Sequence, residues 1–450
     1  MFDLIVVGGG PAGYHAAEYA VGRGLSVLCA EQDALGGECL NRGCIPTKTL
    51  LAFGKAVEHA RFLAGRGGLK GGPMELDHLG VVTYKDQVVQ TLTDGVRTTL
   101  GSKGVRLVQG HASAEQTGGG YRVTVDGTAW ESKNLLLAIG SEPIVPPVPG
   151  LDQCMAQGRA VTSAGLLSDT GPWERLLIVG AGVIGLEFGS YFASLGRKVS
   201  MVEAQDQMGG DLDADVEQFL RRQLRQMRID LHLSSRLVRV EGGQAVVVSA
   251  KGEQRLPFDR LLLCVGRRPC VLEGLDLTTD RGAVVTDGCG RTSLPGCYAA
   301  GDMNGRDMLA HVAYREAEAA VNCILGREVP VDYSTVPRVI YLQPEVAAVG
   351  LSERGAAALG LDYEVKEQSI NYSGRHMAEN GPSAGFCKLI IDREKDVLLG
   401  AVLCAAYASE IVFSLSLMIQ CRIPLEDVRR VMFPHPTVCE IVKETLALNG

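Results

Sequence analysis

The chain has 450 residues, 46% of them hydrophobic, and a formal net charge of −8. An acidic surface repels nucleic acid and anionic membrane, so neither is expected as a main partner, and no apolar run reaches the ~18 residues needed to span a bilayer. The length suits about three domains with cores of their own, and thirteen cysteines, an odd number, do not form the framework of a small secreted protein. Met1 leads straight into the apolar run Phe2 to Val7, which leaves no room for a targeting peptide. A cytoplasmic location is expected.

Leu4 to Val7 reads as a short buried strand, Gly8-Gly9-Gly10-Pro11-Ala12-Gly13 as a turn into a helix from Tyr14 to Arg23, and Ser26 to Ala30 as a second strand ending at Glu31. Next come Cys39 and Cys44, in Gly36-Gly37-Glu38-Cys39-Leu40-Asn41-Arg42-Gly43-Cys44-Ile45-Pro46-Thr47-Lys48. Most other cysteines, such as Cys264 and Cys404, sit in apolar runs and read as small core hydrophobes. This pair lies in a polar, glycine-rich stretch and can switch between dithiol and local disulfide, a store for two electrons. On an ideal helix, residues five apart would place their Cα atoms roughly 8.7 Å apart, beyond the ~7 Å limit for a bridge. The segment is therefore expected to be a distorted helix start, which Gly43 permits. Gly65 to Pro73 reads as an exposed turn without chemistry.

Asn134 to Ile139 is an apolar run ending at Gly140, and the proline-rich Pro143 to Gly150 is a plausible connection between domains. The first unit then recurs. Leu176 to Val179 precedes Gly180-Ala181-Gly182-Val183-Ile184-Gly185, a helix from Leu186 to Leu195, and a strand from Lys198 to Val202 ending at Glu203. In both copies the acid falls 23 positions after the first glycine, Gly8 to Glu31 and Gly180 to Glu203. Strand before, helix after and acid at the strand end make up the context that the dinucleotide fingerprint requires. Gly8, Gly10 and Gly13, like Gly180, Gly182 and Gly185, would shape the turn, admit a pyrophosphate and let helix and strand approach, while Glu31 and Glu203 would each hold an adenosine ribose. Two such sites imply two dinucleotides, a tightly held flavin and a diffusible nicotinamide. Glu203 would repel a 2′-phosphate, and Ala204-Gln205-Asp206-Gln207 offers no arginine for one, so NAD is favoured over NADP.

Arg260 to Val265, ending at Gly266, occupies the place of Asn134 to Ile139 in the second half, and Cys297 to Asp302 reads as a strand delivering a carboxylate. From about Val336, strand-like runs (346–349, 388–391, 398–403) alternate with helical ones (408–420, 425–430), as in a separate α+β domain.

Together these motifs resemble a flavoprotein disulfide reductase, most closely the dihydrolipoamide dehydrogenase type, over essentially the whole chain. The specific matches are Gly36 to Lys48, Gly180 to Glu187, Tyr298 to Asp302, Met308 to His311, and His435-Pro436-Thr437-Val438-Cys439-Glu440. The resemblance implies an α/β fold: a FAD-binding domain over residues 1–147 with the redox disulfide, a NAD-binding domain over 148–265, both Rossmann-like, a central segment over 266–335 completing the FAD domain, and a C-terminal α+β dimerisation domain over 336–450. It implies NAD-dependent oxidation of dihydrolipoamide through a disulfide and FAD, in a homodimer that serves a lipoylated protein of a 2-oxo acid dehydrogenase or glycine cleavage complex. Cys39 would be the interchange thiol and Cys44 the one against the flavin. Lys48 and Glu187 would pair near the flavin N5 edge, Asp302 would hold the ribityl or phosphate region, and Gly140, Gly266 and Ala310 would also line cofactor. His435, oriented by Glu440, would act as acid/base on the partner subunit's thiols.

Chemistry asks for such a base independently. A thiol of pKa ~8.5 is only about 3% thiolate at pH 7, and the thiolate is the attacking species. His311 is expected to pack against the flavin domain rather than exchange protons.

Three features depart from the family pattern: Ile139 replaces a threonine, Phe433-Pro434 precede His435, and Glu38 and Arg42 add charge beside the disulfide. They keep open a reductase of another disulfide or of a low-molecular-weight acceptor. Glutathione reductase is opposed by Glu203 and Ile45-Pro46-Thr47. Mercuric reductase is opposed by a tail, Thr445 to Gly450, without vicinal cysteines. A flavin-bearing sensor without turnover would not need the full set of reacting groups.

Overall fold

Strand pairing gives three larger sheets, of seven, five and five strands, in this computed structural model, which describes residues 1–70, 75–210 and 212–448. Of the glycine-rich turn expected from Gly65 to Pro73, residues 65–70 are exposed and 71–73 lie outside the described residues. No helix among the described residues is long and apolar enough to cross a membrane.

The first sheet centres on β1 (Phe2–Val7), with β2 (Val27–Glu31) and Arg106–Gln109 parallel on one side and Thr128–Leu137 on the other. The Thr128–Leu137 strand starts six residues before the apolar run read from Asn134. Its first half pairs antiparallel with Gly120–Val125, from Tyr121↔Ser132 to Val125↔Thr128. Its second half pairs parallel with β1 and with Cys297–Ala299, in register Cys297↔Leu135. The late strand thus closes the sheet that the first residues open, 160 positions after its neighbour.

The second sheet is all parallel, in the order Asp230–His232, Lys198–Val202, Arg175–Val179, Arg260–Leu263, Ala160–Thr162. The two fingerprints fold alike. Gly8 N–H donates to Ala30 O and Gly180 N–H to Val202 O, each at 2.8 Å. A Cβ on Gly8 would lie 2.3 Å from Ala138 O, and one on Gly180 2.2 Å from Cys264 O, so only glycine lets turn and neighbouring strand meet. Both helices begin three residues earlier than the apolar periodicity indicates, α1 at Pro11 (Pro11–Val21) and its counterpart at Val183 (Val183–Ser194). Proline is favoured at the first helical position, and the third glycine of each fingerprint lies inside the first turn rather than before it.

The third sheet is antiparallel, in the order Arg338–Ile340, Glu345–Gly350, Val397–Ala405, Phe386–Asp392, Tyr363–Ser369. Period-2 alternation buries both of its faces. Cys387, Leu389, Leu403 and Ala405 meet the helices Ala408–Gln420, Leu425–Arg430 and Glu440–Leu446. Phe386, Val402 and Cys404 instead join a core shared with the second sheet's domain.

That shared boundary carries a buried ion cluster. Lys388, 1% exposed, lies 3.0 Å from Asp213, 2.7 Å from Asp215 and 2.7 Å from Glu353. Removing the cation leaves carboxylates facing one another without compensation. Lys388→Ala is expected to cost about 3 kcal/mol, the low end for a broken buried pair, because Asp215 and Glu353 remain 32% and 38% exposed. A drop in the thermal unfolding midpoint measures it.

Candidate active site

Cys39 and Cys44 sit on two helices, not one. α2 (Gly37–Asn41) holds Cys39, the chain breaks at Arg42 and Gly43, and Cys44 is the first residue of α3 (Cys44–Gly65). The expected distortion is thus a complete break. Gly43 is needed there, because a Cβ would lie 3.0 Å from Glu38 O and 3.5 Å from Cys39 Cα. α2 is pressed against the first fingerprint in turn, where a Cβ on Gly37 would come within 2.6 Å of Gly10 Cα.

The two thiols titrate as a pair. The hydrogen bond from Cys39 and the ammonium of Lys48 pull Cys44 down to about 7, against burial and Glu187. The same hydrogen bond, with burial, pushes Cys39 up. Cys44 also gains from its place at a helix N-terminus, where partial positive charge favours a thiolate. One sulfur is thus ready as an anion at neutral pH while the other keeps its proton.

α3 packs along the Val183–Ser194 helix, with Leu50 and Leu51 in the same core as Phe188, Tyr191 and Phe192. This joins Lys48 to Glu187: Nζ donates to Oε2 at 2.7 Å. Glu187 is 2% exposed, and its other oxygen accepts Tyr341 N–H at 3.2 Å. Lys48 Nζ also sits 4.3 Å from the centroid of the Tyr341 ring, a cation–π contact.

The cradles fit the two dinucleotides. A Cβ on Gly182 would meet nothing within 4 Å, and one on Gly10 only Gly37 Cα at 3.8 Å, so each turn presents open space at a helix N-terminus. Glu31 is fixed by the amides of Gly9 (2.6 Å) and Asp33 (2.7 Å), and Glu203 likewise by Ala181 (2.8 Å) and Gln205 (2.9 Å). Each carboxylate is aimed by its own turn and retains lone pairs for a ribose.

Gly140 and Gly266 open two short strands, Ser141–Pro143 and Arg267–Pro269, that pair where the chain crosses between the nucleotide units. Asp302 lies beside them, its Oδ2 accepting the Ser141 hydroxyl at 2.5 Å. Arg267 donates to Ser141 Oγ and Ser141 O, each at 2.8 Å, and to Glu38 at 3.0 Å. Ser141 and Arg267 therefore connect the Asp302 turn to α2. Glu316, 2% exposed, holds that turn from behind through Gly301 N–H (2.6 Å), Asn304 (2.7 Å) and Tyr333 (2.7 Å), and burial raises its pKa. Sequence reasoning missed these three residues. Glu316 had one signal, a charge in the apolar register of Ala313, Ala317 and Ala320.

Ala310 starts the Ala310–Ile324 helix. His311 is exposed and bonds Pro337 O at 3.0 Å instead of packing into the flavin domain.

His435 stands apart from the thiols. Its Nδ1 is 3.0 Å from Glu440 Oε1, and Glu440 Oε2 accepts Thr437 N–H at 2.8 Å, so the ring is oriented as expected. The imidazole is 81% exposed, and among the described residues no hydrogen bond or ion pair links it to Cys39 or Cys44.

The family model described as "Pyridine nucleotide-disulphide oxidoreductase" matches residues 2–317, and its dimerisation domain matches 336–446. The chain belongs to this family. It is an oxidoreductase whose cofactors are FAD and NAD(H). It is 33% identical to the dihydrolipoyl dehydrogenase of Mycoplasma pneumoniae, over 98% of this chain and 97% of that one. Among solved structures it resembles LpdA of Mycobacterium tuberculosis (TM-score 0.89, 25% identity, 98% of both chains). It also resembles the HOCl-induced flavoprotein disulfide reductase RclA of Escherichia coli (TM-score 0.87, 25% identity, 99% of both chains).

In the reduced protein, thiolate absorbance should rise with a midpoint near pH 7, the value to which Cys44 is drawn. Because Lys48 lowers that pKa, Lys48→Met should move the midpoint to higher pH, towards the ordinary thiol value of about 8.5.

Proposed function

We propose that this protein oxidises protein-bound dihydrolipoyl groups to lipoyl groups with NAD⁺, as a homodimer. The observation that carries the reading is the Cys39–Cys44 pair, which has one acidic sulfur beside Lys48–Glu187 and a nucleotide cradle on either side. When bound, the flavin relays two electrons from the dithiol to the nicotinamide.

The chain's own groups divide the remaining work. A substrate thiol, deprotonated by His435 of the partner subunit, attacks Cys39, and Cys44 departs as a thiolate that needs no proton near pH 7. Lys48 stabilises that charge, and Glu187 holds Lys48 in place. Glu440 keeps the imidazole in the orientation that accepts a proton. The exposed His435, with no hydrogen bond or ion pair to its own thiols among the described residues, suits a base that serves a second copy. Glu203 at the second cradle supports NAD over NADP.

A second reading, reduction of a different disulfide, is supported by the charged pair Glu38 and Arg42 beside Cys39 and by Phe433-Pro434 before the base. NADH formation from dihydrolipoamide, set beside NADH consumption with glutathione disulfide and with lipoylated protein, decides between them. The expected result is rapid NADH formation from dihydrolipoamide with little use of NADP⁺. No NADH formation from it, with fast reduction of another disulfide, would replace the first reading by the second. Cys44→Ser should abolish disulfide turnover, and His435→Gln should lower it about 10³-fold, the size of a general-base contribution.

A further inference from the structure

Tyr341 belongs to the C-terminal domain, between the strands Arg338–Ile340 and Glu345–Gly350, yet it reaches the Lys48–Glu187 pair twice. Its N–H donates to Glu187 Oε1 at 3.2 Å, and Lys48 Nζ lies 4.3 Å from its ring centroid. A second ammonium, Lys55 Nζ, lies 5.9 Å from the same centroid. Lys55 is anchored elsewhere: it donates to Glu345 Oε1 at 2.9 Å, and Glu345 Oε2 accepts Ser409 N–H at 2.9 Å. Lys48 has two holds, Glu187 Oε2 at 2.7 Å and the Tyr341 ring.

Lys48 and Lys55 are about two turns apart on one face of α3, and Cys44 begins that face one turn before Lys48. Helical side chains lean towards the N-terminus, so residue 48 covers the turn that Cys44 opens. An ammonium on a flexible stem keeps its field there only while something confines it. The Lys48 side chain is 33% exposed and has room to swing away. The half-buried Tyr341 ring closes one side with an apolar wall, whose π-face attracts the cation and whose bulk excludes the water that would screen it. Burial raises the phenol, so the ring stays neutral. The charged groups around the ring are Lys48, Lys55, Glu187, Glu345 and Glu410; those around Cys44 are Cys39, Lys48 and Glu187.

We propose that Tyr341 is a positioning residue: its ring confines the Lys48 ammonium on Glu187, one turn from Cys44, and so lets the C-terminal domain help hold Cys44 as a thiolate. The inference deepens the disulfide-exchange reading of the site. Tyr341 itself touches no reacting sulfur and acts through Lys48.

The test is the pH midpoint of thiolate absorbance in the Cys39→Ser holoenzyme, where Cys44 is the remaining thiol of the pair, with the Cys39→Ser, Cys44→Ser protein as blank. Tyr341→Leu removes the ring and keeps the backbone amide. The midpoint should rise by about half a pH unit, the scale of one partly exposed cation–π contact. Tyr341→Phe keeps the ring face and loses the hydroxyl, and should leave the midpoint where it was. In a Lys48→Met background, Tyr341→Leu should move the midpoint no further. If Tyr341→Leu does not fold, Tyr341→Met, which fills much of the space without a ring, gives the same reading. A midpoint unmoved or lowered in the folded ringless variant, an equal shift in Tyr341→Phe, or a shift that persists without Lys48 would overturn the proposal. Because the titration needs no substrate, a protein that titrates as expected but does not oxidise dihydrolipoamide would overturn the proposed function and leave this inference standing.

Discussion

The two-residue break between α2 and α3 is the constraint on which the site depends. An unbroken helix would carry its fifth-neighbour sulfurs past bridging distance. The break at Arg42 and Gly43 puts Cys39 at the end of one helix and Cys44 at the N-terminus of the next. Three consequences come from that one feature. The thiols can exchange a disulfide, they are electrostatically unequal, and the unequal one faces along α3 towards Lys48. The glycines around the break serve its packing: Gly43 clears Glu38 O, and Gly37 lets the short helix lie on Gly10 of the first fingerprint.

Around that break the protein uses long-range closure more than local propensity. Cys297–Ala299 completes a sheet begun by Phe2–Val7, and Asp302, just past its end, is returned to Ser141 and through Arg267 to Glu38. α2, the crossover between the first two sheets and the Asp302 turn are therefore one hydrogen-bonded body. A second closure ties the Val183–Ser194 helix to the C-terminal sheet, because the Glu187 carboxylate that holds Lys48 also takes the Tyr341 amide. Asp302 is thus held by a hydroxyl, and Glu187 by an amide, from another element of the chain.

Legibility in the sequence followed the range of the interactions. Both fingerprints, with their acids, could be read because strand, turn, helix and acid are contiguous. The helices Ala408–Gln420 and Leu425–Arg430 were read to the residue, their apolar faces being local patterns. The antiparallel strands leading to Leu137 were not read. Trp130 to Lys133 lack an apolar run, and the signal lay instead in Asp126-Gly127, both at positive φ as a tight hairpin turn requires. Tyr341 and Arg267 were not legible either, since their roles come from partners between 126 and 293 positions away.

On the proposed reading, the unequal thiols also bear on where the base stands. If Cys44, drawn down to about 7, leaves as a thiolate, proton exchange is needed chiefly at Cys39. A base placed between Cys44 and Lys48 would compete for the same negative charge and pull the acidic thiol away from the ammonium that stabilises it. His435, exposed and bonded to Glu440 at 3.0 Å, lies outside that competition. On the proposed reading, association of two chains brings the proton acceptor to Cys39 alone. Electron storage is then complete within one subunit, and proton exchange becomes a property of the dimer.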